Sequence, residues 1–250
     1  MELTILGCSP SFPNPGIPSS SYMATADDTH LLLDCGHGAS AALLAAFDPT
    51  VLTGIVISHM HPDHFFDLVP LCYAAQYFHW PKIPLLLPPG GEQRLRDLQR
   101  AVGLADDFFR QTWTVDEYPS NGTIGIGALE ATFHPTVHFI DAYAARLRVR
   151  DRADSFVFGS DTGPNASLTD FVKGSRTALV EATLLPEAPK DEQHGHLTGE
   201  AAGRLACEAG LERLILTHYP SVHGEELLRQ ARKHFKGAVH LAQVGECYTL

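Results

Sequence analysis

Val51-Leu52-Thr53-Gly54-Ile55-Val56-Ile57-Ser58-His59-Met60-His61-Pro62-Asp63-His64 is the stretch on which the reading of this chain turns. Its opening apolar run is of the kind that becomes a buried strand. Three imidazoles and a carboxylate then leave the end of that strand within six positions. Imidazole is half-protonated near neutral pH, and crowding several cations together is costly. A tight group of His is therefore better explained by a cation that they share. Imidazole with carboxylate suits zinc, and manganese or iron little less. A solvated turn that happens to be His-rich is the bland alternative. The distant His and Asp residues that also fall at strand ends count against it.

Outward from that stretch the chain alternates strand and helix signals, which agrees with sheets covered by helices. Upstream, Leu3-Thr4-Ile5-Leu6 is a strand that enters a Pro-rich loop ending at Pro18. Ser19-Ser20-Ser21-Tyr22 starts a second strand, which Asp27-Asp28 turns back into His30-Leu31-Leu32-Leu33-Asp34 as a hairpin. Ala39 to Phe47 is Ala- and Leu-rich and helical. Downstream, Phe65 to Phe78 has helical spacing, which places His64 near a helix N-terminus. Leu85-Leu86-Leu87 is a strand and Gly90 to Ala101 an amphipathic helix. Phe108, Phe109 and Trp113 suit core packing better than a base-stacking wall. Gly125 to Phe133 is expected to be one strand, running into His134-Pro135-Thr136-Val137-His138. Asp154 to Thr162 is a strand and a sharp turn, and Ala178 to Ala182 a buried strand with an acidic end. Thr198 can cap a helix from Gly199 to Ala209. Leu211 to Thr217 is a strand that delivers His218, and Glu225 to His234 a surface helix. Ala238 to Ala242 is the final strand, to be paired with Tyr248-Thr249-Leu250.

The 250 residues suffice for one large α/β domain burying roughly 70–75% of its unfolded surface. Apolar content of 44%, with 17 Pro and 21 Gly, describes an ordinary globular chain with many turns. The first residues do not read as a basic n-region followed by an apolar stretch, and no apolar run approaches the ~20 residues of a membrane span. Five scattered Cys without a CxxC read as free thiols of a reducing cytoplasm. Net charge is −11, from 18 basic and 29 acidic side chains, a poor balance for gripping nucleic acid. The dense basic stretch, Arg146-Leu147-Arg148-Val149-Arg150-Asp151-Arg152, alternates like a strand, with a charged, solvated edge strand as its simplest reading.

His59-Met60-His61-Pro62-Asp63-His64 resembles the HxHxDH signature of the metallo-β-lactamase superfamily, and the resemblance runs over nearly the whole chain. Further motifs carry it. The opening loop Gly7-Cys8-Ser9-Pro10-Ser11 through Tyr22 and the motif His196-Leu197-Thr198 resemble the branch of transfer-RNA 3′-processing endonucleases and related phosphodiesterases. Phe158-Gly159-Ser160-Asp161-Thr162 is similar to the family's strand–GDT element, with Ser160 where Gly is usual. His138, followed by Tyr143, Ala144 and Arg146, fits the family spacing for the third His of the first metal, with His134 as the alternative ligand. The resemblance implies an αββα four-layer sandwich of two mixed sheets flanked by helices, and often a homodimer, of which the sequence shows no interface. It implies one metal on His59, His61, His138 and Asp161, and a second on Asp63, His64, His218 and the same Asp161. Asp34 and Glu181 would orient these ligands. Zinc is the first choice of divalent ion and manganese the second.

The implied reaction is hydrolysis of a phosphodiester by a hydroxide bridging two metals, with Asp63 orienting the water and His196 protonating the leaving oxygen. Neutral imidazoles with two carboxylates leave two divalent ions about +2 overall, which favours an anionic substrate. No basic, Gly-rich arm is present, and Tyr219-Pro220-Ser221-Val222-His223 departs from the continuation that transfer-RNA-processing relatives use. A small phosphodiester, with a cyclic nucleotide in front, is therefore expected over transfer RNA. Thioester or lactone hydrolysis, and a non-catalytic metal-binding module, stand as further alternatives.

Overall fold

Leu31, Leu32 and Leu33 are all fully buried, although successive strand residues point to opposite faces. The first and third enter one apolar core and the middle one enters another, so this strand is covered on both sides. The same division separates Val56 from Ile55 and Ile57. Such double cover calls for layers on both faces of the sheet, and the computed structural model shows them. It describes residues 1–250, with the side chains of Glu192 and Gln193 outside the description.

The first sheet sets β1 (Glu2–Gly7), β2 (Ser21–Ala26), β3 (Thr29–Leu33), β4 (Gly54–Val56), β5 (Pro84–Leu87) and β6 (Thr114–Glu117) side by side in that order. The second contains β7 (Thr123–Ile126), β8 (Leu129–Pro135), β9 (Tyr143–Val149), β10 (Ser155–Phe158), β11 (Thr177–Glu181), β12 (Arg213–Thr217) and β13 (Ala238–Leu241), again in order. β14 (Cys247–Thr249) then returns to the first sheet beside β1. Both sheets are mixed. Strands β1 to β3 are antiparallel and β3 to β6 parallel. Strands β7 to β10 are antiparallel and β10 to β13 parallel. The apolar inner faces of the two sheets share one core.

Helices α1 (Ala39–Ala46), α2 (Pro62–Phe65), α3 (Leu68–Tyr77), α4 (Gly91–Ala101) and α5 (Phe108–Thr112) belong to the first half. Helices α6 (Ala166–Val172), α7 (Glu192–Gly195), α8 (Gly199–Ala209) and α9 (Gly224–His234) belong to the second. This is the αββα sandwich. Phe108, Phe109 and Trp113 lie in the core beneath the first half's helices.

Four local readings need correction. Gly125 to Phe133 is not one strand but the β7–β8 hairpin, turned at Gly127, whose φ of 56° suits a residue without Cβ. Phe65 to Phe78 is split, because α2 ends at Phe65 and α3 starts afresh at Leu68. The basic stretch lies on an interior strand: β9 pairs with both β8 and β10. There the Arg146 guanidinium sits 4.7 Å over the Phe171 ring, and Arg148 pairs with Glu130 at 2.6 Å. The C-terminal strand pairs with β1 rather than with β13, crossing from one sheet to the other.

Candidate metal centre

Donor-bearing loops converge where strands of both sheets end, the usual place for a site in layered α/β folds. His59 to His64 follow β4, His138 follows β8, Asp161 follows β10, Glu181 ends β11 and His218 follows β12. The seam between the sheets is tied by an antiparallel bridge between His59 and Ala142, and by Tyr143 N–H donating to Ser58 O at 3.2 Å. Asp161 is fixed on the second side: Thr136 Oγ1 donates to its carbonyl at 2.8 Å, and Thr162 N–H donates to Glu181 Oε1 at 2.9 Å.

Two clusters result. His61 Nδ1 lies 3.2 Å from His59 Nε2 and 2.9 Å from His138 Nε2. Asp63 Oδ2 lies 3.4 Å from His64 Nε2 and 3.0 Å from His218 Nε2. Between them, Asp161 Oδ2 is 3.4 Å from His218 Nε2, 3.5 Å from His64 Nε2, and 3.9 Å from Nε2 of both His59 and His138. The donors of each cluster lie within 4.8 Å of one another. His134 is elsewhere: its Nε2 is 3.0 Å from Ser167 Oγ and its ring stacks on Phe171. It belongs to neither cluster, so the spacing alternative that used it is set aside.

The donor set fits divalent cations. His64 Nε2 is buried without a hydrogen bond, directed at two carboxylates, and an orphaned polar atom inside a protein needs a partner. Burial, with neighbouring imidazoles, holds His59 far below 6.5 and lowers His61 to about 4. Burial also lowers His138. All three are therefore neutral with lone pairs to offer. Burial would raise Asp63 and Asp161, yet His64 and His218 outweigh it and hold both well below the usual carboxylate range.

The outward nitrogens are occupied, which leaves the inward ones free to bind. Asp34, fully buried, accepts from His64 Nδ1 at 2.7 Å, from Ser58 N–H at 2.7 Å and from Ser58 Oγ at 2.8 Å. Ser58 Oγ in turn accepts from His59 Nδ1 at 3.0 Å. His138 Nδ1 donates to Gly195 O at 2.8 Å. Thr183 Oγ1 donates to Glu181 Oε2 at 2.6 Å and accepts from His218 Nδ1 at 2.9 Å. Ser58, Thr183 and Gly195 were not legible as site residues in the sequence. A hydroxyl next to His59 and another two positions after Glu181 were the available signals. Asp34, Ser160 and His218 have φ of 58°, 55° and 52°, the left-handed region that costs a side-chain-bearing residue of order 1 kcal/mol. That conformation accounts for Gly being the usual residue where Ser160 stands.

His196 stands at the open side. Its Nδ1 is 2.8 Å from Glu181 Oε1 and 4.0 Å from Asp161 Oδ2. Burial opposes a charge on this ring, but Glu181 and Asp161 prevail and push its pKa up to about 9 in the metal-free chain. His194, two residues earlier, is exposed.

The sequence profile described as "Beta-lactamase superfamily domain" matches residues 29–219, a span that contains His59 to His64, Asp161 and His218. The chain belongs to the metallo-β-lactamase superfamily. Solved structures of human tRNase Z (short form), a PhnP-family diphosphatase and yeast PDE1 share this fold. The chain is similar to the probable metallo-hydrolase YhfI of Bacillus subtilis, 29% identical over 255 residues that cover 98% of each chain. The YhfI crystal structure superposes with a TM-score of 0.87 at 26% identity, covering 99% of both chains. The uncharacterized protein ML1173 of Mycobacterium leprae is 30% identical over 255 residues, 100% of this chain and 89% of that one. Ribonuclease BN of Escherichia coli is 26% identical over 300 residues, 94% of this chain and 95% of that one. Within this superfamily, a pair of adjoining His/Asp clusters on the shared fold makes the chain a metal-dependent hydrolase.

Proposed function

We propose that this hydrolase cleaves a small phosphodiester, a cyclic nucleotide before any other, with His59, His61 and His138 holding one cation, Asp63, His64 and His218 a second, and Asp161 shared. The placement of His196 carries the reading. Its Nδ1 is held by Glu181 at 2.8 Å, so Nε2 is the nitrogen left to meet a substrate, beside the two clusters, and the Glu181 carboxylate favours the charged ring. A charged imidazole there can donate a proton to a departing alkoxide or hold a non-bridging phosphate oxygen. Asp63, ionised, can orient an attacking water. Two cations bound here would supply Lewis-acid polarisation and a water acidic enough to react at neutral pH. Zinc is the proposed ion, since imidazole outnumbers carboxylate among the donors.

A small substrate is supported by the cleft that His196 and Thr183 enter. It measures about 730 Å³, and no Lys or Arg is among the described residues that line it. A polynucleotide wants phosphate partners along its path, and the chain's −11 charge offers few. The relative named a ribonuclease favours a second reading, an RNA phosphodiester. Turnover of cyclic mononucleotides, cyclic dinucleotides, 2′,3′-cyclic phosphates, bis-p-nitrophenyl phosphate and precursor transfer RNA, with zinc and manganese supplied separately, tests the choice. Cleavage of the precursor alone would reverse it.

A further inference from the structure

Single exposed phenylalanines are ordinary, but two of them open onto the cleft that His196 enters. Phe12, on the opening loop, and Phe139, directly after His138, are 50% and 53% exposed, and both line that cleft. Phe139 is held in place. Its ring packs on Gly195, where an added Cβ would come within 2.4 Å of it. Its centroid lies 5.2 Å from that of His138 and 5.9 Å from that of His196. Loops of the metal centre thus fix this ring while half of it stays in water. An immobilised aromatic face costs little entropy to use, and every nucleobase has a π-face to lay against it. Leu184, Leu185 and Pro220 add apolar wall. With no Lys or Arg among the described lining residues, a second phosphate would find no ammonium or guanidinium to pair with.

We propose that Phe139, with Phe12 as a second apolar surface, forms the subsite for the nucleobase of a nucleotide bearing a single phosphate, seated while that phosphate lies against the metal centre. The assignment rests on the phosphodiesterase reading above and names what that reading leaves open, the part of the substrate remote from the reacting bond.

A fluorescence titration with 1,N6-ethenoadenosine 5′-monophosphate tests it on zinc-loaded protein. Affinity falls at least about fivefold in Phe139→Ala, a modest share of the usual stacking contribution, and returns in Phe139→Trp. Phe12→Ala weakens it less. Metal content and melting temperature verify that each variant keeps its centre and fold. In parallel, the ratio of kcat/KM for cyclic AMP over base-free ribose 3′,5′-cyclic phosphate falls at least about fivefold in Phe139→Ala. Equal affinity of wild type and Phe139→Ala, or no binding by wild type, overturns the subsite. Wild-type protein that binds the probe through Phe139 but hydrolyses no cyclic nucleotide supports the subsite and overturns the cyclic-nucleotide reading instead.

Discussion

Glu181 divides its carboxylate between two jobs. Oε1 takes Thr162 N–H and His196 Nδ1, while Oε2 takes Thr183 Oγ1 and Leu197 N–H. An amide cannot accept at both positions, so Glu181→Gln leaves a buried donor facing another donor. It is expected to cost about 2 kcal/mol in urea unfolding and to lower kcat by about 10²-fold. His196→Ala should lower kcat by roughly 10²–10⁴-fold, the usual worth of a placed proton donor, with two metal ions per chain still counted by mass spectrometry. His59→Ala, in contrast, should lose metal and activity together. A His196→Ala enzyme at wild-type rate would remove the proton-donor role. The sequence displayed the imidazoles and Asp161 because their chemistry is rare and their spacing recurs. Thr183, Ser58 and the Gly195 carbonyl were silent, since a hydroxyl or a peptide oxygen acquires its task only from where the backbone brings it.

Helix α8 shows which elements a sequence declares. Thr198 Oγ1 caps Ala201 N–H at its start, and Gly210 closes it at φ 70°, so local chemistry marked both ends. Its packing was not declared. A Cβ on Gly203 would stand 2.5 Å from Ala231 O on α9, so Gly203→Ala, a gain of about 1 kcal/mol on helix propensity alone, is expected to destabilise by about 1–3 kcal/mol through overpacking. Denaturant midpoints decide the sign, and a stabilised variant would mean the helices can part without cost. The hairpin of β7 and β8 looks like one strand in the sequence because Gly125-Ile126-Gly127-Ala128-Leu129 lacks the Asn-Gly or Asp-Gly turn signal. The partner of β14 is 240-odd positions away along the chain, and no local pattern specifies a pairing at that distance.

At the scale of the whole molecule, ions and thiols give separable tests. Free ion at about 1,000 times its Kd adds roughly 4 kcal/mol for one bound site, and each kcal/mol is worth about 2–4 °C at this chain length. Chelation should therefore lower Tm by at least about 10 °C, the share of a single site, and an unchanged Tm would argue against a cation-filled centre. Cys207 and Cys247 are exposed, whereas Cys8, Cys35 and Cys72 are buried. Burial pushes Cys8 up to about 12 and Cys72 up to about 11, from 9.0. Iodoacetamide at pH 8 should therefore label the two exposed thiols in the native state and all five after unfolding. The unfolded chain releases these protons near 9.0 and the folded chain holds them longer. Native stability must then decline as pH rises beyond about 9, as urea midpoints at pH 8 and 10 would show. No helix among the described residues is long and apolar enough to cross a membrane.

The seam between the sheets also sets the order of events in time. Asp63 and His218 are separated by 155 residues, so the closing of that loop must precede any benefit from a shared ion. Cations would then arrive after the rate-limiting step of assembly. They should leave the refolding rate nearly untouched and slow unfolding about tenfold for every 1.4 kcal/mol of binding. What bound ions would confer is longevity of the assembled halves, to be read as a half-life in denaturant with and without zinc.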